Sequence, residues 1–205
     1  MTSTEVSEPG SENWAKVDAA LRAEAGEFLA NGLRDALASY GSVHVVGSYM
    51  MELMAWRDLD LHLVPKVLDR TSFFELGSRL AVLLEPQRMH YRDETGAGTV
   101  GLPSGLYWGV YLGDERAGGW KLDIWATDAR GLERVESYCH AIQRRLSAPT
   151  RKVILGIKAQ CWQHPEYRRS FGSGDIYEAV LEHGIEDVRG FWSFLEQRPN
   201  ANAPS

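Results

Sequence analysis

Hydrophobic residues recur at three- and four-residue spacing near both ends of the chain, which is the pattern of helices that bury one face. At the start, this spacing predicts one long helix over residues 14–39, ending before Gly41 because glycine commonly follows a helix. A second helix is predicted over residues 71–84. After Asp128 the spacing predicts four more helices, over residues 129–145, 149–163, 174–183 and 185–197.

Polar and apolar residues alternate between these helices, as they do in half-buried strands. In residues 58–64, three leucines alternate with Asp58, Asp60 and His62. Residues 106–112 and 120–126 predict a β-hairpin, because both are rich in aromatic and β-branched residues and flank a glycine-rich turn. The remaining expected elements are strands at 42–47 and 87–92, a short helix at about 49–55 and a loop at 93–105.

Together these elements predict an α/β (α+β) fold in which a mixed β-sheet is flanked by helices. We expect a core over residues 13–128 that includes the N-terminal helix, and a C-terminal helical segment over residues 129–198 that packs on this core. Residues 1–12 and 199–205 are polar and rich in Ser, Pro, Gly or Asn, so we expect them to be disordered tails.

The composition of the 205 residues indicates the cellular setting. The sequence has no run of about 18 apolar residues that would predict a membrane span, and its polar N-terminus does not resemble a signal peptide. Cys139 and Cys161 lie far apart without a C-x-x-C partner, so free buried thiols are expected, with a disulfide as the alternative. These features favour a cytoplasmic protein.

The net charge of −6 argues against a surface that binds long nucleic acids along its whole length. The charge is uneven, because residues 140–170 hold seven Lys or Arg and a single acid, Glu166. This basic segment is either a solvated helix face or a surface for a ligand that carries phosphate. Its Lys152 and Lys158 are candidate nucleotide-binding residues. They lie six residues apart on different faces of one predicted helix, so at most one of them is expected to reach a triphosphate.

Candidate chemistry lies where one predicted strand ends in Gly47-Ser48 and the next begins with Asp58 and Asp60. Residues i and i+2 of a strand share a face, with Cα atoms about 7 Å apart, so both carboxylates can converge on a cation such as Mg²⁺. Two carboxylates about 4 Å apart repel by about 4 kcal/mol at an effective dielectric near 20. Water or a cation must therefore offset the repulsion. Gly47 lets the backbone approach a phosphate, and Ser48 adds a hydroxyl at a helix start.

Asp123 lies in the predicted strand 120–126, on the face that it shares with Lys121 and Trp125. If this strand pairs with residues 58–64, three carboxylates meet at one edge of the sheet. In two-metal phosphoryl transfer, such carboxylates hold ions about 3.5–4 Å apart that clamp the attacking and leaving oxygens, and one carboxylate can accept the proton of an attacking hydroxyl. The alternatives are a solvated acidic strand edge and a surface ion pair between Lys121 and Asp123.

Other polar and aromatic residues lie near these acids. His62 extends the acidic face, either as a hydrogen-bonded neighbour or as a contact to metal or substrate. The hairpin aromatics are expected in the core, with stacking on a base or sugar as the alternative; they are Tyr107, Trp108, Tyr111, Trp120 and Trp125.

The pattern Val46-Gly47-Ser48, nine residues, then Asp58-Leu59-Asp60-Leu61 resembles the signature of the DNA polymerase beta-like nucleotidyltransferase superfamily. Asp123 matches a later strand aspartate of that superfamily, and the size is similar to that of its small stand-alone members, the antibiotic and minimal nucleotidyltransferases. The resemblance implies that Asp58 and Asp60 are metal ligands, that Asp123 is a shared ligand or base, and that Gly47 and Ser48 contact a nucleoside triphosphate. It also implies Mg²⁺ as the cofactor, with Mn²⁺ as an alternative.

The leading hypothesis is transfer of a nucleoside monophosphate, with ATP as the expected donor, to a hydroxyl of a small molecule. The acidic net charge favours this acceptor. One alternative is an RNA or protein acceptor, which the basic segment 140–170 favours. A second is a nucleotide-binding module without catalysis, which the bulky apolar residues after Ser48 favour. No pattern in the sequence indicates the acceptor's identity, the base preference or the oligomeric state.

Overall fold

A computed structural model describes residues 14–96, 99 and 102–198, and the tails predicted at 1–12 and 199–205 lie outside these ranges. The described residues divide into two compact units. One, the sheet unit, comprises residues 18–144, and the other, the helical unit, comprises residues 14–17 and 145–198. No helix in the described ranges is long and apolar enough to span a membrane.

The sheet unit contains a five-stranded mixed β-sheet, which confirms the predicted fold class. The strands are β1 (Ser42–Val45), β2 (Asp58–Val64), β3 (Arg88–Asp93), β4 (Leu106–Leu112) and β5 (Trp120–Ala126). Their order in the sheet is β1-β2-β5-β4-β3, and the neighbours are antiparallel except for the parallel pair β2 and β5. The predicted hairpin is confirmed as β4 and β5.

The helices follow the predicted order, and most of their bounds differ from the predicted ones by a few residues. They are α1 (Trp14–Phe28), α2 (Arg34–Ala38), α3 (Gly47–Met51), α4 (Arg70–Leu84), α5 (Ala129–Arg145), α6 (Ala148–Cys161), α7 (Ser173–His183) and α8 (Val188–Gln197). The predicted helix at 49–55 is shorter than expected. It ends at Met51 because Glu52 adopts a left-handed conformation with φ 57°.

The prediction of one uninterrupted helix over residues 14–39 is wrong. A segment over Leu29–Leu33 separates α1 from α2, and within it Asn31 and Gly32 leave helical geometry, with Gly32 at φ 96°. Glycine tolerates this conformation, which other residues rarely adopt. Leu29, Leu33 and Leu37 remain buried across the break, so the apolar spacing continues although the helix does not.

The two faces of the sheet differ in polarity. Leu61 and Ile124, which pair across β2 and β5, are fully buried on one face. Helix α4 packs on this face, where the Trp108 indole Nε1 donates a 3.0 Å hydrogen bond to the Phe73 carbonyl. The opposite face carries Asp60 and Asp123. The sheet therefore presents the acidic residues on the face opposite α4.

The helical unit is built from α6, α7 and α8. Ser147 caps α6 by accepting a hydrogen bond from the Thr150 N–H, and Pro149 lies in the first turn. Gly184 ends α7 with φ 64°. Cys161 of this unit and Cys139 of the sheet unit are both free and buried, as expected.

Candidate active site

The parallel pairing of β2 with β5 brings the three predicted carboxylates together. Asp60 lies opposite Asp123 in the strand register, and Asp58 lies two residues before Asp60 on the same face. Each side chain offers a carboxylate oxygen, and these oxygens all lie within 4.8 Å of one another. The predicted convergence of residues 58, 60 and 123 is therefore confirmed. We call these three residues the acidic cluster.

Gly47, the first residue of α3, approaches the acidic cluster closely. The Val46 N–H donates a 3.0 Å hydrogen bond to the Asp60 carbonyl, which holds the end of β1 beside β2. Gly47 follows with φ 62°, and a Cβ atom built there would overlap the Asp60 Oδ2 atom. Both the conformation and the space therefore require glycine at this position. Ser48 lies next to it in the first turn of α3 and is partly exposed.

Lys121 lies within the acidic cluster. Its ammonium contacts the Asp123 Oδ2 atom and lies 3.6 Å from the Asp58 Oδ1 atom. The residue is only 6% exposed, so the surface ion pair considered from the sequence is instead a buried contact shared by two carboxylates. The alternation that places Lys121 and Asp123 on one face is visible in the sequence. The contact with Asp58 depends on the strand pairing.

Tyr107 orients the other oxygen of Asp123. Its hydroxyl donates a hydrogen bond to the Asp123 Oδ1 atom across Gly109, which pairs with Asp123 in the register. A Cβ atom at Gly109 would lie 2.7 Å from the Tyr107 hydroxyl, so glycine leaves the space for this contact. Burial, followed by the nearby charge of Asp123, raises the pKa of Tyr107 far above its usual range. The hydroxyl therefore stays protonated and acts as a donor.

The aromatic residues of the hairpin and His62 are packed inside the protein. All five aromatic residues of the hairpin are buried, which confirms the core interpretation. His62 is also buried, and its Nδ1 atom lies 3.5 Å from the Thr127 hydroxyl oxygen. Burial lowers the pKa of His62 to about 4, with a smaller contribution from His44. His62 is thus a neutral neighbour of the acidic cluster at pH 7.

No protein-family model matches the chain, and no curated protein matches it in sequence. Solved structures, however, have a similar backbone. The Cid1 poly(U) polymerase bound to Mg and 3'-dATP has a TM-score of 0.53 at 14% identity, over 85% of this chain and 56% of that one. A cytoplasmic RNA terminal U-transferase has a TM-score of 0.53 at 14% identity, over 86% and 56% of the two chains. Cid1 in complex with its short product ApU has a TM-score of 0.52 at 12% identity, over 87% and 56%.

The chain has the nucleotidyltransferase fold. This confirms, at the level of the fold, the resemblance drawn from residues 46–61 and 122–124. The chain spans little more than half the length of these structures, since it covers 56% of each. Membership among the small stand-alone nucleotidyltransferases stays a prediction.

The two lysines predicted to bind nucleotide lie on α6, in the helical unit of this nucleotidyltransferase fold. Lys158 is fully buried, and its ammonium donates a 3.2 Å hydrogen bond to the Tyr177 hydroxyl. Lys152 is exposed. The two lysines therefore lie in opposite environments, as their six-residue spacing predicts, and their contact with nucleotide stays a prediction.

The donor set of the acidic cluster fits a hard divalent cation. All three ligating groups are carboxylates, which are the ligands that Mg²⁺ prefers in proteins. They are partly exposed, so a cation can reach them from solvent. Asp58, Asp60 and Asp123 are thus the residues that could hold the metal implied by the nucleotidyltransferase fold.

Proposed function

We propose that the chain transfers a nucleoside monophosphate from a nucleoside triphosphate to a terminal hydroxyl of RNA, with pyrophosphate as the leaving group. The observation that carries this proposal is the acidic cluster on adjacent parallel strands, with oxygens within 4.8 Å of one another. The RNA acceptor is supported by the structural neighbours, which include a poly(U) polymerase, an RNA terminal U-transferase and a complex with the product ApU. The basic segment 140–170 supports it as well.

In this proposal, Asp58, Asp60 and Asp123 hold the divalent metal. When bound, such a metal neutralises the developing charge on phosphate oxygens and acts as a Lewis acid. Gly47 and Ser48 contact the triphosphate in this proposal. The close approach of the Gly47 backbone to the Asp60 carboxylate supports this role, because it places the backbone beside the proposed metal ligand. Asp123 accepts the proton of the attacking hydroxyl. Tyr107 keeps the Asp123 carboxylate in a fixed orientation through its hydrogen bond.

The test is a transfer assay with an RNA oligonucleotide, MgCl₂ and each of the four nucleoside triphosphates labelled at the α-phosphate. We expect label to join an RNA that ends in a 3'-hydroxyl, and none to join the same RNA with a 3'-deoxy end. Absence of labelled RNA with all four donors would contradict the proposal. Binding of triphosphate without any transfer would favour the non-catalytic module instead.

A small-molecule acceptor is the second candidate, and the net charge of −6 favours it. The two candidates differ in their response to salt. Contacts to RNA phosphates release counterions, so affinity for RNA falls steeply as salt rises, whereas affinity for a small neutral acceptor changes little. We expect the KM for the RNA acceptor to increase at least about tenfold between 50 and 200 mM KCl. A KM that does not change would favour the small acceptor.

A further inference from the structure

The ammonium of Lys121 lies where two carboxylates of the acidic cluster face each other. It contacts Asp123 and lies 3.6 Å from the nearest oxygen of Asp58, and the lysine is almost completely buried. Because Lys121 precedes Asp123 by two residues on β5, the strand itself holds both groups on one face. The contact between Lys121 and Asp123 therefore depends on the strand geometry of β5 as well as on the side-chain conformation of the lysine.

A positive group in this position lowers the number of divalent ions that are required to offset the charge of the three carboxylates. The three carboxylates carry a formal charge of −3, and Lys121 reduces this to −2, which one divalent ion offsets. A second divalent ion that bridged Asp58 and Asp123 would have to displace the ammonium. A displaced ammonium would either lie beside the divalent charge or lose its carboxylate partners inside the protein, and both outcomes are unfavourable.

We propose that Lys121 takes the place of one divalent ion, so that the acidic cluster binds one metal ion rather than two. This inference rests on the proposed metal-binding role of the cluster. Lys121 is then a positioning residue that holds Asp58 and Asp123 together. The positive charge beside the three carboxylates comes from two sources, which are the Lys121 ammonium and a single exchangeable divalent ion.

The test counts Mn²⁺ ions bound to the full chain without nucleotide, by electron paramagnetic resonance of free Mn²⁺ and by equilibrium dialysis. We expect one ion per wild-type chain and two per chain for Lys121→Met, which removes the charge and keeps a side chain of similar length. Lys66→Met is the matched control, because Lys66 is exposed in the turn after β2, and it should still bind one ion. Two ions in the wild type, one ion in Lys121→Met, or no Mn²⁺ binding at all would overturn the proposal.

A second measurement separates this role from simple packing. Lys121→Met should lower the thermal unfolding midpoint in EDTA, because the carboxylates lose their internal cation. Added Mn²⁺ should restore the midpoint, and Lys121→Gln should behave in the same way. A midpoint that Mn²⁺ does not restore would indicate a packing role and contradict the proposal. Failure of RNA labelling with the expected ion counts would reject the proposed function and leave the Lys121 assignment standing.

Discussion

In the sheet unit, the negative charges of two groups of carboxylates are offset by different arrangements of positively charged side chains. At the end of β3, Asp93 pairs with Arg70 at 2.5 Å and accepts a 3.0 Å hydrogen bond from the Thr95 N–H. Glu94 pairs with Arg92 and accepts a 2.7 Å hydrogen bond from the Thr99 N–H. In the acidic cluster, by contrast, Asp58 and Asp123 share Lys121.

The difference separates structural acids from candidate functional acids. Each acid at the end of β3 has its own arginine, so the chain itself offsets the charge of these acids. The acidic cluster places three carboxylates on one face around a shared lysine, which leaves a net negative charge. Two like charges at this spacing are costly without a counter-charge, so the comparison supports the proposed cation-binding role of the cluster.

The largest expected difference between the two groups is in the rate of nucleotidyl transfer after one acid of each group is neutralised. Asp60→Asn should lower the rate of nucleotidyl transfer by about 10³-fold, because a metal ligand and its stabilisation of transition-state charge are lost. Asp93→Asn makes the same chemical change at the end of β3 and should leave the rate within a few-fold of wild type. Transfer rates of the two variants at saturating substrate check this prediction. Equal losses in both variants would contradict the contrast.

Acidification should also affect the two regions differently. The pKa of His62 is about 4 in the folded protein and about 6.5 in an unfolded chain, so below pH 6.5 the unfolded state binds a proton that the folded state does not. The free energy of unfolding should therefore fall as pH drops, by up to about 2 kcal/mol at pH 5. Hydrogen bonds from Thr95, together with Arg70, lower the pKa of Asp93 to about 2, so its ion pair persists over this range.

Urea unfolding at pH 7 and pH 5 measures this difference. His62→Gln should show a smaller fall in stability between the two pH values than wild type, because it removes the group that titrates. His140→Gln changes an exposed histidine and should keep the wild-type fall. The same pH dependence in His62→Gln and wild type would show that other groups cause it.

The smallest expected effect concerns the backbone beside the acidic cluster. Gly47→Ala should lower the free energy of unfolding by about 1–2 kcal/mol, because alanine is strained at this positive φ and its Cβ would overlap the Asp60 carboxylate. Gly26→Ala is the matched control, since Gly26 lies within α1 with open space around it, and it should gain about 0.5–1 kcal/mol. Urea unfolding of both variants decides the matter. Stabilisation by Gly47→Ala would contradict the described geometry.

Much of the sheet could be predicted from local patterns. The bounds of β2, β4 and β5 match the predicted ranges 58–64, 106–112 and 120–126, because alternation and aromatic content mark each strand within a few residues. The proximity of Asp123 to Asp58 and Asp60 was expected on the condition that their strands pair, and the structure meets that condition.

The contacts around the cluster could not be predicted because they depend on pairing between distant strands. Tyr107 reaches Asp123 because the register places Gly109 opposite that aspartate, and no local pattern encodes this register. Lys121 reaches Asp58 for the same reason. Apolar spacing does not reveal the break at Gly32, because the buried leucines continue their spacing through it.

The position of β5 between β2 and β4 has a consequence for the synthesis of the protein. Asp123 enters the sheet beside residues made about sixty positions earlier, so a nascent chain that ends before residue 120 can hold β1 and β2 but lacks the third acid. The proposed metal site should therefore be completed in one late step, after the ribosome has released β5 and the strand has paired with β2 and β4. Pairing over such a long sequence separation is slow compared with the formation of local helices.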